Sequence, residues 1–335
     1  MTHTVFTEGY KNYALSIDKV HALDAWLEEK YGIRCLESPC DPEIYTQEIA
    51  TKEKKKVASL RRRIGKQKAT ISNANIELAN IFAKSPWREI WHSKRRAWLL
   101  DSLTMACAVA EVIKDQSSLA SHLDVGCHVG FLSTYLFKEY GIQSTGIDIA
   151  GDAIAEAVKL SECPKIEFLT STPGELAGKR LWQYVTAVDL VQPNEADFSS
   201  TMKDTCDLVA PGGHLLVIGN FYDGNKVLSF YREMGFSCIR GQLTGGFHHG
   251  LEHDEFPDWS TKYAYHFVKT KGVDIVTKAV LPDMYEFAEY ANSGESPPKE
   301  INRSYFLGRK LNNPRKASSP CPTVRRLRNS AIFEY

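Results

Sequence analysis

The sequence lacks both a net charge and any long hydrophobic segment. Its 335 residues contain 41 Lys and Arg against 41 Asp and Glu, so the overall charge does not favour nucleic acid or an anionic membrane as a partner. No apolar run approaches the roughly 20 residues that span a bilayer, and the opening residues MTHTVFTEGYK lack the apolar core of a signal peptide. We therefore expect a cytoplasmic protein that contacts no membrane and for which nucleic acid is not the favoured partner.

Closely spaced cysteine pairs are also missing. The eight cysteines are scattered without a C-x-x-C motif, which argues against a structural zinc site and, in a cytoplasmic chain, for free thiols. No metal is therefore expected. A content of 43% hydrophobic and 24% charged residues is that of an ordinary globular protein with a sizeable core.

Residues 1–97 are predicted to form a helical N-terminal region. The segment SIDKVHALDAWLEEKYG ends at a glycine, as helices commonly do. Within residues 57–81, apolar or small side chains recur with the spacing of a heptad seam. This seam predicts either a coiled coil that pairs two chains into a homodimer or one amphipathic helix that packs on its own domain. Tyr10 and Tyr13 precede these helices and are candidates for an aromatic lid.

Residues 98–271 alternate strand and helix patterns. Segments such as SHLDVG, STGIDI and HLLVIGN read as strands, and FLSTYLFKEYG, DAIAEAVKL and KVLSFYREMG read as helices. This order predicts an α/β domain with a mostly parallel sheet that is covered by helices on both faces. Residues 272–335 have little apolar periodicity and contain SGESPPKE and RRLR, so we expect an extended basic tail there.

A glycine-rich turn follows the first predicted strand, in the segment LDVGCHVG. In an open α/β sheet this turn lies at the carboxyl edge of the strands, where ligands bind, so Gly126 and Gly130 are expected to face a ligand. The turn alone is compatible with a dinucleotide, a phosphate or close packing. Asp148, at the end of the second predicted strand, adds a carboxylate that can accept both hydroxyls of a ribose.

Together these segments resemble the Rossmann-like (class I) S-adenosylmethionine-dependent methyltransferases. The resemblance is carried by LDVGCHVG as the glycine loop, GIDI as the ribose-binding strand end, VDLV as the fourth-strand motif and LVAPGGHLLV as the fifth strand behind a Pro-Gly-Gly turn. It implies a doubly wound α/β sheet of seven strands with an antiparallel last strand, and S-adenosyl-L-methionine as the cofactor. His128 departs from the family pattern, which has a glycine in the middle of the loop.

The resemblance also implies roles for individual residues. Asp124 would help to place the amino acid end of the cofactor, Asp148 would bind the ribose and Ile149 would pack on the adenine. The side chain of His128 would either point away from the cofactor or replace part of its contacts. The complete set implied for cofactor binding is Asp124, Gly126, Cys127, His128, Gly130, Asp148, Ile149, Ser171, Thr172, Asp189 and Leu190.

A histidine-rich insert, LTGGFHHGLEHDEFPDWSTK, separates the last two predicted strands. If the last strand is antiparallel, this insert lies at the ligand edge and is a candidate wall for the substrate. Because histidine can remove a proton near neutral pH, His248, His249 and His253 are the candidate catalytic bases. The alternatives are that they are ordinary residues of a surface loop or that, with Glu252 and Asp254, they bind a metal ion, for which their spacing is loose.

The expected activity is methyl transfer to an oxygen, nitrogen or carbon atom of a small molecule. Three alternatives stay open. Basic segments such as KEKKKVASLRRRIGKQK fit an RNA methyltransferase, although the fourth strand ends in DLVQP without an Asn-Pro-Pro-Tyr-like motif. The second is an enzyme that uses S-adenosylmethionine as another alkyl donor or as a cyclisation substrate. The third is a noncatalytic scaffold built on the heptad helix.

Overall fold

The computed structural model describes residues 15–33, 35, 71–85, 87–116, 120–190, 198–219, 224–243 and 263–270. The helices are α1 (Ile17–Tyr31), α2 (Ile71–Phe82), α3 (Trp87–Gln116), α4 (Phe131–Tyr140), α5 (Gly151–Ser161), α6 (Pro173–Leu176), α7 (Phe198–Asp207) and α8 (Gly224–Glu233). The strands are β1 (Ser121–Val125), β2 (Gln143–Asp148), β3 (Glu167–Thr170), β4 (Trp182–Val188), β5 (Val209–Gly219), β6 (Phe236–Leu243) and β7 (Tyr263–Lys269).

The strands form one seven-stranded sheet in the order β3-β2-β1-β4-β5-β7-β6. Strands β1 to β5 pair in parallel, whereas β7 is antiparallel to both β5 and β6. The predicted mostly parallel sheet with an antiparallel last strand is thereby confirmed. The strand order reverses between β1 and β4, which places the segments that follow these two strands at the position where open α/β sheets bind ligands.

Both faces of the sheet are buried by helices. On β4, Tyr184 belongs to the core cluster beneath α1, α3 and α4, whereas the next residue, Val185, belongs to the cluster beneath α7 and α8. On β5, Leu216 belongs to the first of these clusters and Leu215 to the second. Successive side chains of a strand point to opposite faces, so a doubly covered sheet requires nearly continuous apolar strands. This explains why the strand segments lack a polar face.

The predicted first helix is confirmed with both of its ends. Ser16 is the N-cap of α1, and its hydroxyl accepts a hydrogen bond from the N–H of Lys19. Gly32 ends the helix in the left-handed conformation, and its N–H donates to the carbonyl of Glu28 at 2.9 Å. The predicted boundary at 97/98 falls within α3, which runs without interruption towards β1. Among the described helices, none combines the length and hydrophobicity that crossing a membrane requires.

The Pro-Gly-Gly segment corrects one expectation from the sequence. It was expected as a turn in front of the fifth strand, but β5 already begins at Val209 and includes the segment. Trp182 of β4 pairs with Val209, and Tyr184, two residues later, pairs with His214. Residues 210–213 of β5 stand opposite the single residue Gln183, and Gly212 has φ of 72°, so the register shifts at this point.

Two histidines form a buried pair between β5 and β7. Nδ1 of His214 lies 2.9 Å from Nε2 of His266, so one ring donates and the other accepts, and both are neutral. Burial lowers the pKa of His214 to about 4, and burial together with the neighbouring His214 lowers the pKa of His266 well below its usual value. The pair resists protonation as long as the protein is folded.

The free energy of unfolding is therefore expected to decrease by about 4 kcal/mol between pH 6.5 and pH 5. In that range the unfolded histidines take up protons that the buried pair and His122, whose pKa burial lowers to about 3, do not. Asp124 acts in the opposite direction, because burial raises its pKa to about 6, but three histidines outweigh one carboxyl. Urea denaturation at several pH values measures the slope. His21→Gln, at an exposed position, should leave the slope unchanged, and stability that is constant or higher at pH 5 would contradict the expectation.

Candidate functional site

The glycine loop after β1 connects directly to the end of β2. The N–H groups of Gly126 and Cys127 both donate to the carbonyl of Ile147, at 2.8 and 3.0 Å. The N–H of Gly130 donates to the carbonyl of Cys127 at 2.8 Å, and α4 begins at the next residue. The loop is thus a tight turn whose two ends are fixed by backbone hydrogen bonds at the carboxyl edge of β1 and β2.

Two glycines of the loop are required by space as well as by conformation. Gly126 and Gly130 have φ values of 76° and 79°, in the left-handed region that favours glycine. A Cβ atom at Gly126 would lie 2.8 Å from Cδ1 of Leu190, which follows β4. A Cβ atom at Gly130 would lie 2.5 Å from Cζ of Phe168 on β3. The left-handed backbone favours glycine at both positions, and at Gly130 the ring of Phe168 on β3 leaves no room for a side chain.

His128 also has a left-handed backbone, with φ of 51°. Its N–H donates to Oδ2 of Asp148 at 3.0 Å. The backbone of His128 therefore adopts a conformation that a glycine would also adopt and connects the loop to the end of β2. Its imidazole hydrogen-bonds to the backbone of Ala79 on α2 and lies 6.4 Å, between ring centroids, from Phe131. Burial lowers the pKa of this imidazole, and the negative charge of Asp148 opposes the decrease. The imidazole of His128 is thus held by the backbone of α2 and lies within the electrostatic influence of Asp148.

Asp148 is the last residue of β2, and its carboxylate is held in place by backbone donors. Oδ1 accepts from the N–H of Ala150 at 2.8 Å, and Oδ2 accepts from the N–H of His128. Each carboxylate oxygen has two lone pairs, so the group can accept further hydrogen bonds from a ligand. The next residue, Ile149, is 42% exposed. A fixed carboxylate and an exposed apolar surface therefore lie side by side.

Asp124 lies beneath the loop and is 4% exposed. Its Oδ2 accepts from the hydroxyl of Ser133 on α4 at 3.2 Å, and its Oδ1 accepts from the hydroxyl of Thr186 on β4 at 2.9 Å. Burial raises the pKa of the carboxyl group to about 6, and the two hydroxyls oppose the increase. Through these two hydrogen bonds Asp124 connects β1 to α4 and to β4.

Ser171 and Thr172, after β3, are engaged in a helix cap. The hydroxyl of Thr172 accepts from the N–H of Glu175, and the Glu175 carboxylate accepts from the N–H of Thr172 at 2.8 Å and from the Ser171 hydroxyl at 2.9 Å. These hydrogen bonds lower the pKa of Glu175. Sequence reasoning missed Glu175, although the T-x-x-E spacing of a capping box is visible in the sequence. The N–H of Ser171 also donates to the carbonyl of Asp148 at 3.0 Å, which brings this cap to the end of β2.

Asp189 and Leu190 complete the edge behind β4. Asp189 has φ of 49°, and its N–H donates to the carbonyl of Ile218 on β5 at 2.7 Å. Leu190 lies against Gly126, as the close approach to a Cβ at that position shows. Every residue predicted for cofactor binding therefore lies at or directly beneath the carboxyl edge of β1 to β4.

The predicted helical N-terminal region contributes a wall formed by α2 and α3. Oδ1 of Asn80 accepts from the N–H of Asp152 at 2.9 Å, at the start of α5, and Lys84 lies 2.7 Å from the carboxylate of Asp152. One turn further on, Nη1 of Arg88 donates to Oε1 of Glu156 at 2.7 Å, and both side chains are largely buried. These contacts hold the junction of α2 and α3 against α5, the helix that follows Asp148.

The candidate catalytic histidines His248, His249 and His253 lie outside the described residues, as do Tyr10 and Tyr13. The strand ends on both sides of the histidine insert are described: Leu243, the last residue of β6, pairs with Tyr263, the first of β7, which also pairs with Gly219 at the end of β5. The insert thus leaves and rejoins the sheet at its carboxyl edge. Within the described part of the chain, no three His, Cys, Asp or Glu side chains are grouped to hold a metal ion.

Comparison with known proteins gives a likeness to solved methyltransferase structures. No family model and no curated protein sequence matches the chain. The N-methyltransferase NodS from Bradyrhizobium japonicum WM9, in complex with S-adenosyl-L-homocysteine, is 13% identical over 51% of this chain and 87% of its own, with a TM-score of 0.42. The magnesium protoporphyrin IX methyltransferase ChlM from Synechocystis PCC 6803, with the same ligand, is 15% identical over 52% and 86%, also with a TM-score of 0.42.

A third structure of this kind is the TehB-like S-adenosylmethionine-dependent methyltransferase from Corynebacterium glutamicum ATCC 13032. It is 15% identical over 48% of this chain and 86% of its own, with a TM-score of 0.37. Since these identities and TM-scores are low, the fold assignment rests on the strand order and pairing of this chain. The three similar chains are S-adenosylmethionine-dependent or other methyltransferases by name, and two of them contain S-adenosyl-L-homocysteine.

Proposed function

We propose that this chain binds S-adenosyl-L-methionine at the carboxyl edge of β1 to β4 and transfers its methyl group to a small-molecule acceptor. The observation that carries the proposal is the arrangement of Asp148 and Ile149: a backbone-held carboxylate with spare acceptor capacity beside an exposed apolar side chain. A nucleoside presents the matching pair, two ribose hydroxyls as donors and an apolar base.

The remaining edge residues fit the rest of such a ligand. The cofactor has no phosphate groups, and the site offers the carboxylates of Asp124 and Asp148 at and beneath the loop. Asp124 is the proposed partner of the amino acid end, because an ammonium group favours an anion in a buried environment. Ser171 and Thr172 are proposed to meet the rim of the adenine, and Asp189 and Leu190 to line the pocket behind β4.

When bound, the cofactor supplies an activated methyl group, so the protein has mainly to align an acceptor and, where needed, to remove its proton. The residues proposed to remove this proton are His248, His249 and His253. Their support is the position of the insert, whose flanking strand ends Leu243 and Tyr263 lie at the same edge of the sheet as Asp148. Replacement of each histidine by glutamine, with turnover and cofactor affinity measured separately, tests this role.

Residues 57–81 are proposed as a dimer helix on their heptad spacing alone. Residues 57–70 lie outside the described residues. The described remainder, in α2, packs on α3 and α5 of its own chain. Asn80 accepts from the N–H of Asp152 on α5, and the backbone of Ala79 hydrogen-bonds to His128 of the glycine loop, as the alternative of a helix lying on its own domain requires. Light scattering of the full chain distinguishes a dimer from a monomer.

Asp148→Ala is expected to weaken S-adenosyl-L-homocysteine binding at least about tenfold, because a hydrogen bond to a charged group contributes roughly 1.5 to 3 kcal/mol. Isothermal titration calorimetry measures the affinity. Since the carboxylate also accepts from His128 and Ala150, the variant should in addition melt at a lower temperature.

Asp152→Ala is the matched control, because that carboxylate lies on the next helix and binds Lys84 at the surface. It should retain the affinity of the parent. An Asp148→Ala variant that binds as tightly as the parent would remove Asp148 from the site. A parent that binds no S-adenosyl-L-homocysteine would contradict the proposed function itself.

A further inference from the structure

A continuous chain of buried hydrogen bonds runs beneath the glycine loop. The hydroxyl of Ser144 on β2 lies 3.2 Å from Nδ1 of His122 on β1, and Nε2 of His122 lies 2.9 Å from the hydroxyl of Thr186 on β4. The Thr186 hydroxyl in turn lies 2.9 Å from Oδ1 of Asp124. All four side chains are at most 4% exposed. The chain of hydrogen bonds crosses three strands and ends at the carboxylate of Asp124, two residues before Gly126.

The donors and acceptors in this chain fit only one direction when Asp124 is ionised. A carboxylate only accepts, so the Thr186 hydroxyl donates to it. The Thr186 oxygen then accepts from Nε2–H of His122, which leaves Nδ1 of the neutral ring to accept from the Ser144 hydroxyl. Burial lowers the pKa of His122 to about 3, so the ring is neutral at physiological pH. The tautomer of His122 and the orientation of the Thr186 hydroxyl are thereby fixed.

Polar groups around Asp124 stabilise its charge without neutralising it. Three titratable groups interact electrostatically with the Asp124 carboxyl: Asp148, Cys127 and Tyr184. Asp148 is itself acidic, and burial raises the pKa values of Cys127 and Tyr184. Hydroxyl donors from Thr186 and Ser133 are the groups that favour the ionised carboxyl. Asp124 is therefore a buried anion held by hydrogen bonds alone, and it retains attraction for a cation.

We propose that Thr186 and His122 are positioning residues that hold Asp124 as an oriented carboxylate, which receives the ammonium group of the cofactor's amino acid end. This inference rests on the proposed function and extends it to two buried residues outside the predicted cofactor-binding set. The affinity for a ligand that carries the amino acid end should depend on the hydrogen-bond chain. The affinity for a ligand that consists only of the adenosine part should not.

The test replaces Thr186 by valine, which has the same shape without the hydroxyl. S-Adenosyl-L-homocysteine carries the amino acid end and 5′-methylthioadenosine lacks it, so both are titrated calorimetrically between pH 6 and pH 8. An increase of about one pKa unit in Asp124 would reduce its ionised fraction roughly threefold near pH 6.5. We therefore expect Thr186→Val to weaken the binding of S-adenosyl-L-homocysteine at least roughly threefold near pH 6.5 and by less at pH 8. The affinity for 5′-methylthioadenosine should not change.

Two further variants separate positioning from packing. Thr186→Ser keeps the hydroxyl and should retain the parent's affinity and pH profile. Thr145→Val removes a hydroxyl that is 2% exposed on β2 and lies 3.4 Å from the Glu167 carboxylate, away from the hydrogen-bond chain. It should leave both affinities unchanged. Equal losses in Thr186→Val and Thr145→Val, or equal losses for the two ligands, would overturn the proposal.

Nuclear magnetic resonance reads the chain of hydrogen bonds without a ligand. In the parent, ¹⁵N shifts should show His122 protonated at Nε2, and the ¹³C carboxyl signal of Asp124 should titrate at a higher pH in Thr186→Val than in the parent. An unchanged Asp124 titration overturns the proposal even if affinity changes. A parent that binds neither ligand contradicts the proposed function, whereas a parent that binds S-adenosyl-L-homocysteine no better than 5′-methylthioadenosine overturns only the role of Asp124.

Discussion

Gly130→Ala is expected to lower the free energy of unfolding by about 2 to 4 kcal/mol, the sum of backbone strain and overpacking. The strain arises because φ is 79° at this position. The overpacking arises because the new Cβ would lie 2.5 and 2.6 Å from two ring atoms of Phe168 and 3.3 Å from Cβ of Ala157. Phe168 is buried, so its ring has little space to move. Urea denaturation measures the loss.

Gly141→Ala is the matched control. Gly141 has φ of 68°, but nothing lies within 4 Å of a Cβ at that position. The variant should therefore lose only the strain, about 1 kcal/mol. Equal losses at both positions would show that Phe168 yields, and that the loop tolerates a side chain where the structure predicts that it does not.

Arg88→Met is expected to cost about 3 kcal/mol of stability, because removal of one partner leaves the other charge buried. The side chains of Arg88 and Glu156 are 8% and 18% exposed, and their charged atoms are 2.7 Å apart. Lys159 lies 3.7 Å from the same carboxylate and offsets part of its lost partner. The expected loss of stability is therefore at the lower end of the range for breaking a buried ion pair. Thermal and urea denaturation of the full chain measure it.

Lys84→Met provides the comparison, since it removes the exposed pair that joins the same two segments. Lys84 and Asp152 are 60% and 50% exposed, and exposed pairs contribute at most about 1 kcal/mol. If both variants lose the same stability, the junction of α2 and α3 is not held by the buried pair, and its role as a wall beside the end of β2 loses its main support.

The sheet could be predicted from the sequence because its signals are local. Each strand is a short apolar segment bounded by turn residues, and Gly141 and Gly32 mark helix ends where a left-handed residue is needed. The glycine loop and Asp148 were predicted from their positions after successive strands, which topology brings to one edge.

The orientation of His128 could not be predicted in the same way. The loop requires only its backbone N–H, and the direction of the imidazole depends on Ala79, in a helix that is distant in sequence. For the same reason the pairing of Arg88 with Glu156 has no sequence signal. His122 and Thr186 read as interruptions of apolar strands, and only the strand order β2-β1-β4 reveals that they face each other.

Binding at this edge can be observed directly at Ile149, the exposed side chain beside Asp148. With its δ1-methyl group ¹³C-labelled, titration with S-adenosyl-L-homocysteine should shift the Ile149 signal saturably, because an adenine ring packed on it changes the local field. Ile166, buried just before β3 at the opposite edge of the sheet, should not shift. If Ile149 does not respond at saturating ligand, or responds no more than Ile166, the cofactor does not bind at the proposed site.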